Sequence, residues 1–203
     1  QILAAISHDL QTPITRMRLR AEALDDTTER GKLLKDLHEM EHLVREGVAY
    51  ARSAHGATET PRRIDPAAFV ESLVFDYQDT GKPVSLSGSV DGTAIVRPQA
   101  LRRVLGNLID NALKYAGRAE VGMARTASGA LCIEVADNGP GIPDDELERV
   151  LEPFYRLENS RNRDTGGTGL GLAIAAQLML SVGGRLTLAN RAGGGLVARI
   201  ELP

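Results

Sequence analysis

Apolar residues recur at helical spacing over roughly the first quarter of the chain. With about 100° per residue, six apolar positions fall within about 40° of Leu10 on a helical wheel. They are Leu3, Ile6, Ile14, Met17, Ala21 and Leu24. A second stripe consists of Leu33, Leu37, Met40, Val44, Val48 and Ala51. We therefore expect two helices joined near residues 25–31 as a short-looped antiparallel hairpin.

Two helices alone cannot bury two such stripes. The simplest way to cover both is to pair the hairpin with a second copy, which gives a dimeric four-helix bundle. The pattern thus predicts a homodimer.

The pattern changes between Ser53 and Asp65, where Ser, Gly, Thr, Pro and Arg occur without periodicity. We place a helical domain at 1–55, a linker at 56–64 and a second domain at 65–203. In the second domain we expect helices over about 66–76, 99–116 and 170–181, strands over 84–86, 94–96, 120–125 and 131–136, and a final strand pair. The predicted class is α+β, a helical hairpin followed by an α/β sandwich.

Composition excludes several classes of protein. The chain has 203 residues, 42% hydrophobic and 25% charged, which is typical of globular proteins rather than of collagen or disordered chains. No apolar run approaches the roughly 18 residues that cross a bilayer. A net charge of −3 and 3% aromatic residues argue against nucleic-acid binding. The single cysteine, Cys132, is expected to be a buried strand thiol.

His8 is expected to face solvent, since it lies about 160° from the centre of the first apolar stripe, with Thr12 one turn later. Pro13 cannot donate to the carbonyl of Asp9, which disturbs the helix just beyond His8. A neutral imidazole can accept a phosphoryl group, and Asp9 could orient its ring proton. A solvated surface histidine is the alternative. His38 and His42 lack a third ligand at a familiar spacing and are expected to be solvated.

Asn107, Asn111 and Lys114 share one face of the predicted helix over 99–116. Amide oxygens there suit Mg²⁺ and a triphosphate, although an ordinary helix surface is the alternative.

The strand over 131–136 is followed by Asp137 and the glycines of DNGPGI. An acidic acceptor there could hold the exocyclic amine of adenine, unless this is an ordinary turn. GGTGLGLAIA, from Gly166 to Ala175, opens a helix whose N–H groups favour phosphate, without the GKS/T of a Walker loop. We interpret residues 138–168 as a mobile cover over a ligand.

Five segments together resemble the H, N, G1, F and G2 boxes of sensor histidine kinases, closest to the EnvZ-like branch. They are HDLQTP (8–13), NLIDNALKY (107–115), DNGPGI (137–142), EPFYR (152–156) and GGTGLGLAI (166–174). The resemblance implies a dimerisation and phosphotransfer hairpin followed by an ATP-binding domain of the gyrase, heat-shock chaperone, histidine kinase and MutL (GHKL or Bergerat) type. It also implies ATP and Mg²⁺ as cofactors.

The resemblance implies roles for residues of the first box. His8 matches the phosphorylated histidine, and Asp9 and Thr12 match the pair that supports phosphatase activity toward the partner. Gln11 stands where this branch commonly has Arg. The implied partner is the receiver domain of a cognate response regulator.

The resemblance also implies a nucleotide site. Asn111 matches the Mg²⁺ and phosphate ligand, assisted by Asn107, while Asp137 matches the adenine acceptor and Phe154 the lid aromatic. The remaining matches are Lys114, Tyr115, Gly139, Gly141, Ile142, Arg156, Gly167, Thr168, Gly169, Leu170 and Gly171.

The implied function is ATP-dependent phosphorylation of His8 and transfer to an aspartate of the regulator. Related ATPases carry a Glu base at the position of Asn107, and an amide cannot accept a proton from water. We therefore expect transfer rather than hydrolysis. The rival hypotheses are a nucleotide-binding scaffold without activity and a simple ATPase or chaperone. Because only seven residues precede His8, we expect the cytoplasmic portion of an inner-membrane sensor protein.

Overall fold

The computed structural model describes the backbone of residues 2–54, 59–157 and 168–203, and the side chains of residues 10–51, 59–157 and 168–203. The chain divides into two compact units, Gln1–His55 and Gly56–Pro203.

The first unit is a helical hairpin. Helix α1 spans Ile2–Glu22 and continues through Pro13, and α2 spans Thr27–Ala54. Helix α2 begins earlier than expected because the Asp26 carboxylate accepts hydrogen bonds from the backbone N–H groups of Thr28 (2.8 Å) and Glu29 (3.1 Å). The connection is therefore only four residues long, at 23–26.

Only part of each predicted apolar stripe is buried within one hairpin. The described core consists of Ile14, Ala21 and Leu37, with Leu34 and Val44 packed against it. Several stripe residues remain substantially exposed, namely Leu10, Met17, Leu24, Leu33 and Met40. The hairpin thus presents an apolar face that its own helices do not cover.

The second unit is a layer of helices on one face of a five-stranded sheet. The helices are α3 (Pro66–Asp79), α4 (Pro98–Ala116) and α5 (Gly171–Ser181). The strand order is β2-β4-β5-β7-β6, and β2 and β4 are parallel while all other neighbours are antiparallel. The strands are β2 (Val84–Ser87), β4 (Ala119–Arg125), β5 (Leu131–Ala136), β6 (Arg185–Asn190) and β7 (Leu196–Leu202).

A separate two-stranded ribbon pairs β1 (Arg62–Ile64) with β3 (Ala94–Val96). Residues 62–64 lie in the segment that we expected to be linker. A strand of three residues is too short to show a periodic pattern, and this one is stabilised by its pairing with β3.

The core of the second unit lies between the helices and the sheet. It contains Leu105 and Ile109 of α4, Ile133 of β5, Ile174 of α5 and Ile200 of β7, all essentially inaccessible. Cys132 in β5 is buried, as predicted, and burial raises the pKa of its thiol. None of the described helices has both the length and the apolar character that crossing a bilayer requires.

Candidate functional site

Helix α4 carries the predicted asparagine pair on the border of its buried face. Both Asn107 and Asn111 are half-buried, one turn apart. The side-chain amide of Asn107 donates to the carbonyl of Gly171, the first residue of α5, at 3.0 Å. This bond joins the N box to the start of α5, which begins within the G2 box.

The oxygens of these two amides are available to a ligand. Among the residues that the structure describes, no group donates to Oδ1 of Asn107, and none bonds to the amide of Asn111. Hard oxygen donors that keep no protein partner fit a cation such as Mg²⁺.

Beside them, Tyr77 of α3 fixes the position of α4. Its hydroxyl lies 3.0 Å from the Asp110 carboxylate and 3.4 Å from the Gly106 carbonyl, to which it can donate. Burial, together with the charge of Asp110, raises the pKa of Tyr77 well above its usual range. Sequence reasoning missed this tyrosine because its contacts are 29 and 33 residues away along the chain.

Asp137 follows directly after β5 and is only 8% exposed. Its Oδ1 atom accepts hydrogen bonds from the backbone N–H groups of Gly139 (2.8 Å) and Leu196 (3.2 Å). Within the described part of the chain, nothing donates to the other oxygen, Oδ2. Two backbone donors thus hold the carboxylate in one orientation and leave one oxygen to accept from a ligand.

The glycines of the DNGPGI loop allow close approaches of backbone and side chains. A Cβ at Gly139 would lie 3.2 Å from the Asp137 carboxylate and 3.2 Å from the carbonyl of Tyr115, at the end of α4. Gly141 has a φ of +72°, and a Cβ there would lie 2.7 Å from Oδ1 of Asn190. The loop therefore fits closely between α4 and the β6–β7 hairpin.

The sequence predicted the final strand pair, which forms the β6–β7 hairpin, but not the contacts by which this hairpin holds the loop. The Asn190 amide accepts from the N–H of Ile142 (2.9 Å) and donates to its carbonyl (2.6 Å). The Arg191 guanidinium donates to the carbonyl of Asp137 at 3.1 Å. The glycine run at 193–195 marks a turn in the sequence, but nothing in the sequence shows which loop the turn contacts.

Lys114 and Tyr115 lie in the last turn of α4, beside this loop. The Lys114 ammonium lies 4.8 Å from the centroid of the Tyr115 ring, and both side chains are exposed. A cation and an aromatic ring at this edge are suited to contact a phosphate and a purine.

The F box and the G2 box meet through the backbone. The N–H of Phe154 donates to the carbonyl of Gly169 at 3.0 Å, and a Cβ on Gly169 would lie 2.8 Å from the Tyr155 carbonyl. Phe154 has a φ of +64°, unusual for a residue with a side chain, and is 63% exposed. The hydroxyl of Thr168 accepts from the N–H of Leu170, which is buried.

A polar cluster supports the segment before Phe154. The Tyr155 hydroxyl donates to the Glu146 carboxylate, and this bond raises the pKa of Tyr155. The Arg149 guanidinium bonds the same carboxylate at 3.1 Å and lies 4.5 Å from the centroid of the Tyr155 ring. Glu146 and Arg149 lie in two short 3₁₀ turns, Asp144–Glu146 and Arg149–Leu151.

The structure therefore brings the predicted N, G1, F and G2 residues into one unit through direct contacts. Gly171 also belongs to this set through its bond to Asn107. Arg156 is half-buried, and its side chain or backbone interacts with another group of the protein. Gly167 lies outside the described residues.

The first-box residues belong to the other unit. His8 and Asp9 lie in the backbone of α1, but their side chains are outside the described residues. Thr12 is exposed on α1, and so is Leu19. His38 and His42 are exposed on α2, as expected.

The described side chains also limit the kind of metal site. Within them, no group of three His, Cys, Asp or Glu side chains could hold a metal ion. Mg²⁺ does not need such a group, because it commonly takes only one or two protein oxygens together with phosphate oxygens and water.

Comparisons with known proteins decide the family. Residues 96–203 match the family described as histidine kinase-, DNA gyrase B-, and HSP90-like ATPase, and residues 1–55 match the His kinase A (phospho-acceptor) domain. The chain belongs to the sensor histidine kinases. Both the family and the fold class predicted from the sequence are confirmed.

Curated relatives include other sensor kinases. The chain is 38% identical over 203 residues to the sensor histidine kinase GtrS of Pseudomonas aeruginosa, covering 100% of this chain and 41% of that protein. It is 36% identical over 191 residues to the sensor protein RstB of Escherichia coli, covering 91% and 44%. The chain therefore spans less than half the length of these relatives.

Solved structures of histidine kinases share the fold. The mycobacterial sensor histidine kinase MprB has a TM-score of 0.60 at 27% identity, covering 71% of this chain and 97% of that one. Full-length ShkA in complex with AMPPNP has a TM-score of 0.79 at 23% identity, covering 99% of this chain and 45% of that one. The second likeness shows the fold alone.

Proposed function

We propose that the chain is the kinase part of a two-component sensor, which transfers the γ-phosphoryl group of ATP to His8 and then to an aspartate of a response regulator receiver domain. The units at 1–55 and 65–203 would be the phosphotransfer hairpin and the catalytic domain, with 56–64 between them. The observation that carries the proposal is the orientation of Asp137, with one oxygen held by two backbone donors and the other left to accept from an adenine amine. Family membership supports the same activity.

The chemical step is an in-line phosphoryl transfer. The bond from the γ-phosphorus to the bridging oxygen of ADP breaks, and a bond to an imidazole nitrogen of His8 forms. The proton on the other ring nitrogen is lost, and Asp9 orients that proton or takes it up. In the second transfer the bond between the His8 nitrogen and phosphorus breaks while a regulator carboxylate takes the phosphoryl group. The imidazole takes a proton back at the same time, which returns a neutral histidine.

The second unit supplies binding and positioning. Asp137 and the loop glycines would hold the adenine, with Ile142 and Tyr115 beside it. Phosphates would meet Lys114, Arg156 and the backbone of the G2 segment, namely Gly167, Thr168, Gly169, Leu170 and Gly171. Phe154 would pack near the nucleotide. Asn111 and Asn107 would hold Mg²⁺, which when bound neutralises phosphate charge.

Asn107 favours transfer over hydrolysis. Its amide cannot act as a base toward water, and one of its two amide hydrogens is donated to the carbonyl of Gly171. Water attack on the γ-phosphorus therefore has no base at this position.

Two further properties belong to the proposal. Asp9 and Thr12 would support dephosphorylation of the regulator, with Thr12 positioning the attacking water. The uncovered apolar face of the hairpin supports a homodimer, because pairing would bury Leu10, Met17 and Met40. We also propose that the longer protein is anchored in the inner membrane, with this portion in the cytoplasm.

The test is incubation with γ-labelled ATP and Mg²⁺, measuring protein-bound label and released phosphate together. The proposal predicts label on the protein that is labile to acid and stable to base, and none on His8→Gln. ATP binding without label in the wild-type chain would instead favour a scaffold. Steady phosphate release unaffected by His8→Gln would favour a simple ATPase.

A further inference from the structure

The β6–β7 hairpin holds the DNGPGI loop at both ends. Asn190 and Leu196 face each other as the last cross-strand pair of this hairpin. The N–H of Leu196 donates to the Asp137 carboxylate at 3.2 Å, and the carbonyl of Leu196 accepts from the Asp137 N–H at 2.9 Å. Asn190 bonds both backbone groups of Ile142 at the other end of the loop.

The Asn190 amide acts as a strand partner supplied by a side chain. Its oxygen accepts from the Ile142 N–H, and its nitrogen donates to the Ile142 carbonyl and to the Asp144 carboxylate at 2.7 Å. It meets both backbone groups of one residue in the loop, so it fixes the loop's path as well as its distance from the sheet. No other natural side chain of this size offers a donor and an acceptor in that geometry.

The glycine at 141 belongs to the same arrangement. A Cβ there would lie 2.7 Å from the Asn190 oxygen, so the amide occupies space that only a glycine leaves open. Thus the loop and the amide fit each other on three sides: the Ile142 backbone, the Gly141 Cα and the Asp144 side chain.

We propose that Asn190 is a positioning residue for adenine recognition, acting through the DNGPGI loop on the orientation of Asp137. This inference rests on the proposed function, because it takes Asp137 as the adenine acceptor. Asn190 makes no hydrogen bond to Asp137; it restricts the path of the four residues, 138–141, between Asp137 and Ile142. Removing the Asn190 side chain should therefore weaken recognition of the adenine base more than binding of the phosphates.

The experiment compares the affinities of ATP and inosine triphosphate, which carries an oxygen in place of the exocyclic amine of adenine. Titrations with Mg²⁺ use the full chain in its wild-type and Asn190→Ala forms. We expect the wild-type chain to prefer ATP, and Asn190→Ala to bind ATP about tenfold more weakly while the ATP preference shrinks by a similar factor. Autophosphorylation at saturating ATP should change little, so the effect appears in KM rather than kcat.

Gln78→Ala is the matched control. Gln78 also donates from a side-chain amide to a backbone carbonyl, that of Val84 at 2.8 Å, in the same unit but away from the loop. A general loss of stability would affect both variants alike, whereas loss of positioning would reduce the ATP preference only in Asn190→Ala.

A second pair of variants covers the case in which Asn190→Ala does not fold. Asn190→Asp keeps the acceptor for the Ile142 N–H but places a carboxylate against Asp144. Adding Asp144→Asn supplies a donor to that carboxylate, and we expect the double variant to recover part of the ATP preference that Asn190→Asp loses.

The outcomes separate the inference from the function. Suppose that the wild-type chain prefers ATP. The role of Asn190 is overturned if Asn190→Ala keeps the same preference, or if Gln78→Ala loses as much of it as Asn190→Ala does. In both cases the proposed function stands. No recovery in the double variant would also count against that role. A wild-type chain that binds neither nucleotide overturns both.

Discussion

A single carboxylate, Asp137, combines a structural role with the recognition role that we propose for it. Oδ1 accepts from the backbone of its own loop and from β7, so this oxygen is committed to the fold. Oδ2 differs from it only in having no donor among the described residues. Because the carboxylate is oriented before a ligand arrives, Oδ2 would lose little entropy on accepting a hydrogen bond from that ligand.

Asp137→Asn tests this division of roles. If the amide oxygen keeps the two backbone bonds, the amide nitrogen replaces Oδ2 and presents a donor to the adenine amine, which is also a donor. We expect ATP affinity to fall at least about tenfold, with a change in unfolding free energy below about 1 kcal/mol. Calorimetric titration and urea unfolding measure the two quantities.

The control for this substitution is Asp145→Asn, an exposed carboxylate further along the same segment. It should leave ATP affinity unchanged. Equal losses in both variants would mean that net charge, rather than the orientation of Asp137, determines binding.

Gly195 shows a second constraint at the scale of one residue. Its φ is +101°, and a Cβ there would lie 2.0 Å from the carbonyl oxygen of Asp137. Gly195→Ala should therefore destabilise the second unit by at least about 3 kcal/mol, because backbone must move on both sides. Gly193→Ala, in the same turn with open space around it, should change stability by less than about 0.5 kcal/mol. Urea unfolding of the two variants compares them, and equal stabilities would contradict the described turn.

At the scale of elements, helix α4 is capped from outside its own sequence. Arg97 occupies the N-cap position without a capping side-chain bond. Glu59 supplies the missing cap, because its carboxylate accepts hydrogen bonds from the N–H groups of Gln99 (3.0 Å) and Ala100 (3.2 Å). The Arg97 side chain in turn donates to the carbonyls of Glu59 and Ser181. Glu59 and Arg97 thus join the start of α4 to the end of α5.

Glu59→Ala should cost about 1 kcal/mol of unfolding free energy, because two N–H groups at the positive end of α4 lose their acceptor. Thermal unfolding of the chain measures it. Glu71→Ala, an exposed carboxylate on α3, is the control. A cost no larger than that of the control would show that the cap contributes nothing.

The elements that the sequence predicted best are those with long periodic patterns. The predicted helix over 99–116 is α4 almost to the residue, and the strand over 131–136 is β5 itself. Strand β1 and the cap by Glu59 were not predictable, because each depends on a partner thirty or more residues away. The same holds in the site: Asp137 stands out as a carboxylate at a strand end, whereas Asn190 has no local signal.

At the scale of the whole molecule, the hairpin face argues for a second copy. Met17 is 42% exposed and continues the stripe of Leu10 and Leu24, while Leu19 is 59% exposed about half a turn away. Apolar side chains repeated along one face of a hairpin indicate an interface rather than scattered surface residues.

Met17→Glu should therefore raise the dimer dissociation constant at least about a hundredfold, because it buries a charge in the interface. Leu19→Glu should leave it within about threefold, because that side lies outside the proposed interface. Sedimentation equilibrium measures both constants. A Met17→Glu chain that dimerises as tightly as wild type would refute the proposed bundle.

The most direct measurement of the central claim is mass spectrometry of the chain after incubation with ATP and Mg²⁺, digested under alkaline conditions. Transfer to the hairpin predicts one phosphoryl group on the tryptic peptide ending at Arg16, assigned to His8 and removed by brief acid treatment. It should be absent from His8→Gln and from Asn111→Ala. A phosphoryl group that survives acid, lies on Thr12 or persists in His8→Gln would contradict the account.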